Sequence, residues 1–294
     1  MHDLIFIKDY KDNELVRKSF NELAAIIFGG LNFEKWYKAG YWTDKYNPYS
    51  FLDGDQIVAN VSVSEIDLVV DGQEKRAIQI GTVMTHPDYR NKGLSRELMN
   101  RVIEDYENKH DIMYLFANHK VLDFYPKFGF KPVTEYQYSM DFNLNLNKNA
   151  SLHKLDCQNI DDLHFIHKFV SERQPVSMKF GTKNTTGLFM FYCLYVFSKD
   201  LYYIKDENVI VIYQNKKEVL HIYDMVSSEE FDIVKVLQSI ANQETKKIVF
   251  HYMPDYKGFS YEKEAFHDDT VLFVRCNTDL LIPKYCKHPV TSQA

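Results

Sequence analysis

The feature that most constrains this chain is a strand that runs into a tight basic loop and straight on into a helix. Ala77 to Thr85 reads as the strand, His86 to Gly93 as the connection, and Leu94, Leu98, Val102 and Tyr106 as the inner stripe of the helix. A helix that starts this abruptly leaves several backbone N–H groups unpaired and carries partial positive charge at that end, so it suits phosphate oxygens. Gly93 lets the backbone approach a ligand closely. Arg90 and Lys92 add charge, and the Ser95 hydroxyl supplies a further donor.

The elements around this unit predict an α/β (α+β) fold, a mixed and mostly antiparallel sheet flanked by helices. Leu4 to Lys8 reads as a strand, and Asp12 as the cap of a helix with Leu15, Phe20, Leu23, Ile26 and Ile27 on one side, stopped at Gly29-Gly30. A short helix follows over Phe33 to Ala39, then a hairpin about Asp53-Gly54-Asp55, with Ile57, Ala59, Val61 and Val63 alternating along its second strand. Ile112 to Ala117 is apolar throughout, as a central strand covered on both faces would be. Val121 to Phe128 reads as a short helix closed by Gly129, and Val133 to Phe142 as the closing strand.

Asn143 to Ala150 is polar, poor in structure formers and close to the midpoint, which divides the chain into domains at 1–143 and 151–294. The second half repeats the plan loosely: a strand near Leu152, a helix opened by Asp161-Asp162, a buried helix from Thr186, a hairpin about Lys205 to Asn208, a helix over Glu230 to Ala241 and a strand over Lys247 to Tyr252. The 35 Lys and Arg against 41 Asp and Glu give a net charge of −6, so no global basic field exists to hold nucleic acid or an anionic membrane. The ten-residue apolar run Leu188 to Phe197 is well short of the roughly 20 residues that span a bilayer as a helix. No export signal is apparent. With no C-x-x-C pair and no histidine at metal-ligand spacing, Cys157, Cys193, Cys276 and Cys286 read as reduced, buried thiols of a cytoplasmic protein, and no metal is expected.

Arg90-Asn91-Lys92-Gly93-Leu94-Ser95 resembles the acyl-CoA signature of the GNAT superfamily of N-acetyltransferases, Arg/Gln-x-x-Gly-x-Gly/Ala, with Ser95 in the last position and Thr85-His86-Pro87 in place of the upstream Val-x-Pro. A second element lies downstream. Asn118, Tyr125, Gly129 and Phe130 match that family's Asn-x-x-Ala-x-x-x-Tyr-x-x-x-Gly-Phe ending, with Val121 replacing the small residue. The resemblance implies acetyl-CoA as co-substrate and an amine as acceptor. It implies that Val83, Met84 and Thr85 pair with the pantetheine amides, that Arg90, Asn91, Lys92, Gly93, Leu94 and Ser95 hold the pyrophosphate, and that Asn118 and Tyr125 complete the cofactor site. Tyr125 is then the general acid that protonates the departing thiolate.

Many family members carry a glutamate base eleven residues before the loop arginine, and Gln79 stands there, an amide that cannot accept the proton. Glu65 and Asp67 are candidate bases because the alternation of their strand ends at Val63, where a bulge could aim a carboxylate at the cleft; both read equally as solvated acids at a strand end. We take Glu65 as the candidate, with His86 and His119 read as loop histidines. Phe33, Trp36, Tyr37, Tyr41 and Trp42 either line an acceptor pocket or pack the core, and amphipathic spacing favours the core.

The second half has no such loop, since Ser227-Ser228-Glu229 places acid where phosphate would sit. The whole chain resembles tandem GNAT proteins in which the other copy shapes the acceptor cleft or supports assembly, homo-oligomers included. The expected activity is acetyl transfer to a primary amine of a small molecule or peptide by direct attack on the thioester. The alternative is a non-catalytic acyl-CoA-binding sensor or scaffold.

Overall fold

The computed structural model describes residues 4–143, 145–146, 151–276 and 282–294, so Leu144 and residues 147–150 of the expected linker lie outside the described residues. Along the first half run strand β1 (Ile5–Ile7), helices α1 (Glu14–Ile27) and α2 (Glu34–Lys38), and strands β2 (Tyr46–Asp53), β3 (Gln56–Glu65), β4 (Asp67–Val70), β5 (Gln73–Lys75) and β6 (Ala77–Thr85). Helix α3 (Leu94–Tyr106) and strands β7 (Ile112–Asn118), β8 (Lys131–Val133) and β9 (Tyr136–Asp141) follow.

The second half contains β10 (Leu152–Lys154), α4 (Ile160–Ser171), β11 (Phe180–Lys183), α5 (Thr186–Tyr195), β12 (Leu201–Ile204), β13 (Val209–Lys216) and β14 (Val219–Val226). It ends with α6 (Ile233–Ile240), β15 (Lys247–Phe250), β16 (Glu262–Ala265) and β17 (Thr270–Cys276). Among the described residues no helix is long and apolar enough to cross a membrane.

Two seven-stranded sheets with the same plan organise most of these elements, and β11, β4 and β5 form a third, three-stranded sheet. The first has the order β1-β2-β3-β6-β7-β17-β8 and the second β10-β12-β13-β14-β15-β9-β16. Each is antiparallel except for one central parallel pair, β6 with β7 and β14 with β15. The expected mixed, mostly antiparallel sheet is therefore present twice.

The sixth strand of each sheet comes from the other half of the chain. β9, expected to close the first sheet, pairs instead with β15 and β16 of the second. β17 fills the equivalent place in the first sheet, between β7 and β8. Pro132 lies in β8 and only Thr134 and Glu135 separate β8 from β9, so the chain leaves the first sheet there after three strand residues. The exchange satisfies two ladders at once.

Local periodicity placed most helices well. The α3 stripe Leu94, Leu98, Val102 and Tyr106 is buried against Val61, Val63, Ile78 and Leu115, as expected. In α1 the cap is Asn13, whose side chain accepts from the Val16 N–H, one residue beyond the expected Asp12. Its buried face is Val16, Phe20, Leu23 and Ala24, while Leu15 and Ile26 are exposed. It is this face that helix α1 turns to the sheet, where it packs on β3 and β6. The helix expected over Val121 to Phe128 is two single 3₁₀ turns, His119–Val121 and Tyr125–Phe128, because Pro126 sits in the first turn of the second and donates no backbone bond.

Residues 286–294 bind the two sheets together. Arg173 makes a bidentate ion pair with Asp224, 2.8 and 2.6 Å, and the Thr291 hydroxyl donates to the same carboxylate. Asp224 is 1% exposed. Replacing it with alanine strands a buried guanidinium, so Asp224→Ala is expected to destabilise the protein by about 3–5 kcal/mol, read as a lowered urea midpoint.

Candidate active site

The site begins where β6 and β7 part. Their parallel pairing covers only Ala77 to Ile80 against Ile112 to Leu115. Beyond it, Gly81 to Thr85 keep β3 on one side and, among the described residues, have no strand on the other. A bulge forces the divergence: Thr82 adopts a left-handed φ of +48°, and the Asn60 side chain donates to its carbonyl at 2.8 Å. The wedge-shaped gap that results exposes one edge of the backbone at Val83, Met84 and Thr85.

Above the gap lies the start of α3. Gly93 has φ +82° and Asn91 φ +62°, a turn that reverses the chain onto the helix. The first intrahelical bond there is from the Glu97 N–H to the Gly93 carbonyl, and among the described residues the N–H groups of 91 to 96 have no partner. A Cβ built at Gly93 would meet nothing within 4 Å. The Thr85 and Ser95 hydroxyls are bonded to each other at 2.6 Å, so Ser95 ties the strand end to the helix start. Arg90 is exposed, and the Lys92 ammonium lies 4.3 Å from the centre of the Tyr89 ring.

Tyr125 stands on the other flank. It is buried in the same apolar cluster as Leu94, Leu115 and Ala117 and packs on Phe273, the register partner of Leu115 where the parallel pairing ends. Its hydroxyl has no hydrogen-bond partner among the described residues, and burial pushes its pKa up to about 12. The phenol thus stays protonated at neutral pH and free to donate. Asn118 is exposed and caps the 3₁₀ turn after β7, accepting from the Lys120 N–H at 2.8 Å.

Glu65 stands apart from Tyr125 and the α3 start but lines the cavity that borders the gap. It lies on the face of β3 that carries Val61 and Val63 towards α3, and its carboxylate is 3.5 Å from the Tyr106 hydroxyl at the far end of that helix. His86 caps the turn at Pro87, and His119 bonds to the Asp268 carbonyl at 2.8 Å, both in loops as expected.

Gln79 has a role its sequence position did not reveal. Its amide donates to the Tyr114 hydroxyl at 3.1 Å and the Ser292 carbonyl at 2.8 Å, and accepts from the Ala294 N–H at 2.6 Å. A carboxylate could not supply those two donors. A Cβ at Gly81 would lie 2.8 Å from the Ala294 backbone, so the strand carries glycine where residues 292–294 cross it.

The equivalent positions in the second half are filled. The start of α6 is capped by Asp232, which accepts from the Val234 and Lys235 N–H groups. Beyond the β14–β15 pairing, the Val290 N–H bonds to the His251 carbonyl at 3.2 Å and Thr291 to Asp224, so residues 289–292 occupy that space. Asp232 thus sets a carboxylate at the start of α6, where the start of α3 has Gly93.

Next to the open gap is a cavity of about 220 Å³ between the two halves. Phe33, Trp36 and Tyr46 of the first half face Leu188 and Phe191 of α5, with Thr82 of the bulge at its edge. Phe33, Trp36, Tyr41 and Trp42 are all buried, so the aromatic cluster is core packing whose inner surface also forms a wall.

Residues 13–133 match the family model of the acetyltransferase (GNAT) domain. No curated protein matches the sequence. In three dimensions the chain is similar to a conserved protein of unknown function from Enterococcus faecalis, with a TM-score of 0.62 at 15% identity over 93% of this chain and 72% of that one. It is similar over the same shares to a GCN5-related N-acetyltransferase from Kribbella flavida, TM-score 0.58 at 15% identity. A GCN5-related N-acetyltransferase from Anabaena variabilis gives 0.57 at 12% identity over 92% and 73%. Residues 13–133 are thus similar to a GNAT acetyltransferase domain, and the whole chain shares the fold of these larger proteins.

Proposed function

We propose that the protein is an acetyl-CoA-dependent N-acetyltransferase that acylates a primary amine by direct attack on the thioester. The observation that carries this reading is the gap after Ile80 and Leu115, with unpaired N–H groups on one flank and the free Tyr125 hydroxyl on the other. Acetyl-CoA as substrate would supply an activated acyl group whose thiolate leaves.

The chain's own residues would do the rest. The N–H groups from Asn91 to Arg96, with Arg90, would hold the diphosphate, and the open edge of Val83 to Thr85 would take the pantetheine amides as an added strand. Tyr125 would donate a proton to the sulfur. The first half then carries the cofactor and the acid, while the second half, whose own gap is plugged, builds the acceptor wall.

Gly93→Asp tests the phosphate site. It sets a side chain on a backbone with φ +82° and aims a negative charge at the diphosphate, so acetyl-CoA affinity by calorimetry should fall at least about tenfold. Unchanged affinity would remove the cradle from the account. For the activity itself, the full chain is incubated with acetyl-CoA and an amine panel, and free thiol is measured. Release that depends on an amine supports transfer; tight binding with no release by any amine supports the sensor reading.

A further inference from the structure

The cavity beside the gap restricts what the acceptor can be. Its aromatic walls include two whose polar tips are already used: the Trp36 indole N–H donates to the Gly187 carbonyl at 2.7 Å, and the Tyr46 hydroxyl pairs with Thr82 at 2.9 Å, while Thr43, Ser64 and Asn184 add polar patches. Phe33 stacks on Phe191 across the two halves, with ring centres 5.5 Å apart. The charged side chains among the lining are Lys45 and Glu65, and the Glu65 carboxylate turns towards Tyr106.

Such a pocket sets one carboxylate, Glu65, against one ammonium, Lys45, so a second ammonium group gains no net attraction there. It does offer dispersion contact and area burial to a flat apolar body. A cavity of about 150 Å³ takes benzene. The 220 Å³ here exceeds that by enough for a short arm reaching towards Thr82 and the open gap.

Building on the acetyl-transfer reading, we propose that the acceptor is a primary monoamine joined by a short arm to an apolar body about one aromatic ring in size, and that Phe191 of the second half determines this preference. In the reaction the amine nitrogen bonds to the acyl carbon as the carbon–sulfur bond breaks. The sulfur keeps that electron pair and takes the Tyr125 proton. The nitrogen releases its extra proton to water, from which Tyr125 is reprotonated, so the products are an amide and free thiol. The aromatic cluster and the apolar run of α5 then share one purpose, which gives the plugged half of the chain a direct part in specificity.

The test compares phenethylamine and tryptamine with spermidine, glucosamine and a lysine peptide in the thiol-release assay on the full chain. Expected is a kcat/KM at least about tenfold higher for the arylalkylamines, and in Phe191→Ala a KM for phenethylamine raised about tenfold, with kcat and acetyl-CoA affinity little changed. Preference for spermidine, glucosamine or the peptide, or a KM that Phe191→Ala leaves unmoved, overturns the proposal. If no amine releases thiol, the transfer reading fails separately. Occupancy is then read without turnover, from fluorescence of the two tryptophans, one of which lines the cavity. Saturable quenching by phenethylamine that weakens in Phe191→Ala upholds the pocket assignment, and none refutes it.

Discussion

Tyr125→Phe is expected to lower kcat for amine-dependent thiol release by about 10²–10⁴-fold while leaving acetyl-CoA affinity unchanged. The substitution removes one oxygen from a ring that stays packed on Phe124, Phe130 and Phe273. Because that hydroxyl has no partner among the described residues, its loss strands no other group and should cost little stability. A drop in kcat with intact binding therefore isolates proton donation to the leaving sulfur. Burial holds the phenol protonated up to about pH 12, so wild-type activity should not fall through loss of this proton between pH 7 and 9. Full activity in Tyr125→Phe would assign the proton to another donor.

Residues 1–143 produced alone are expected not to fold cooperatively. Without β17 the first sheet loses Leu272, Phe273 and Val274, all nearly fully buried, and β7 and β8 lose the strand between them. Burial of those three side chains contributes about 1.5–3 kcal/mol each, roughly 5–9 kcal/mol together. That is comparable with the whole stability of a typical domain, about 5–15 kcal/mol. β9 would also be left as an unpaired strand carrying the buried residues Tyr138 and Met140, which invites aggregation. The measurement is a circular-dichroism melt beside that of the full chain. A cooperative transition in the fragment would show that the exchanged strand is dispensable.

Much of the local fold around the candidate site was legible because its signals are local. Strand, loop and helix from Ala77 to Tyr106 announce themselves by periodicity and by glycine at a turn that needs positive φ. Tyr125 could be picked from 21 tyrosines only by its place in a motif. The exchange of β9 and β17 was not legible, since both strands satisfy any sheet with a free edge and the sequence does not say which edge is near. Gln79 was similarly opaque. Its partner Ser292 lies 213 positions away, in a run with neither periodicity nor a motif, so the residue read as a missing base when it is a clamp. At Glu65 no bulge follows Val63, and the alternation that places Val63 towards α3 carries Glu65 the same way, although Glu65 also lines the cavity. The bulge in this pair of strands falls between Asn60 and Ser62 instead, where it opens the gap at Thr82.

A crystal structure of the full chain with acetyl-CoA tests the central claim most directly. The account predicts the diphosphate on the N–H groups of residues 91 to 96, the pantetheine along Val83 to Thr85, and the thioester sulfur within hydrogen-bond reach of the Tyr125 hydroxyl. Acetyl-CoA bound elsewhere, or with its sulfur remote from Tyr125, would contradict it.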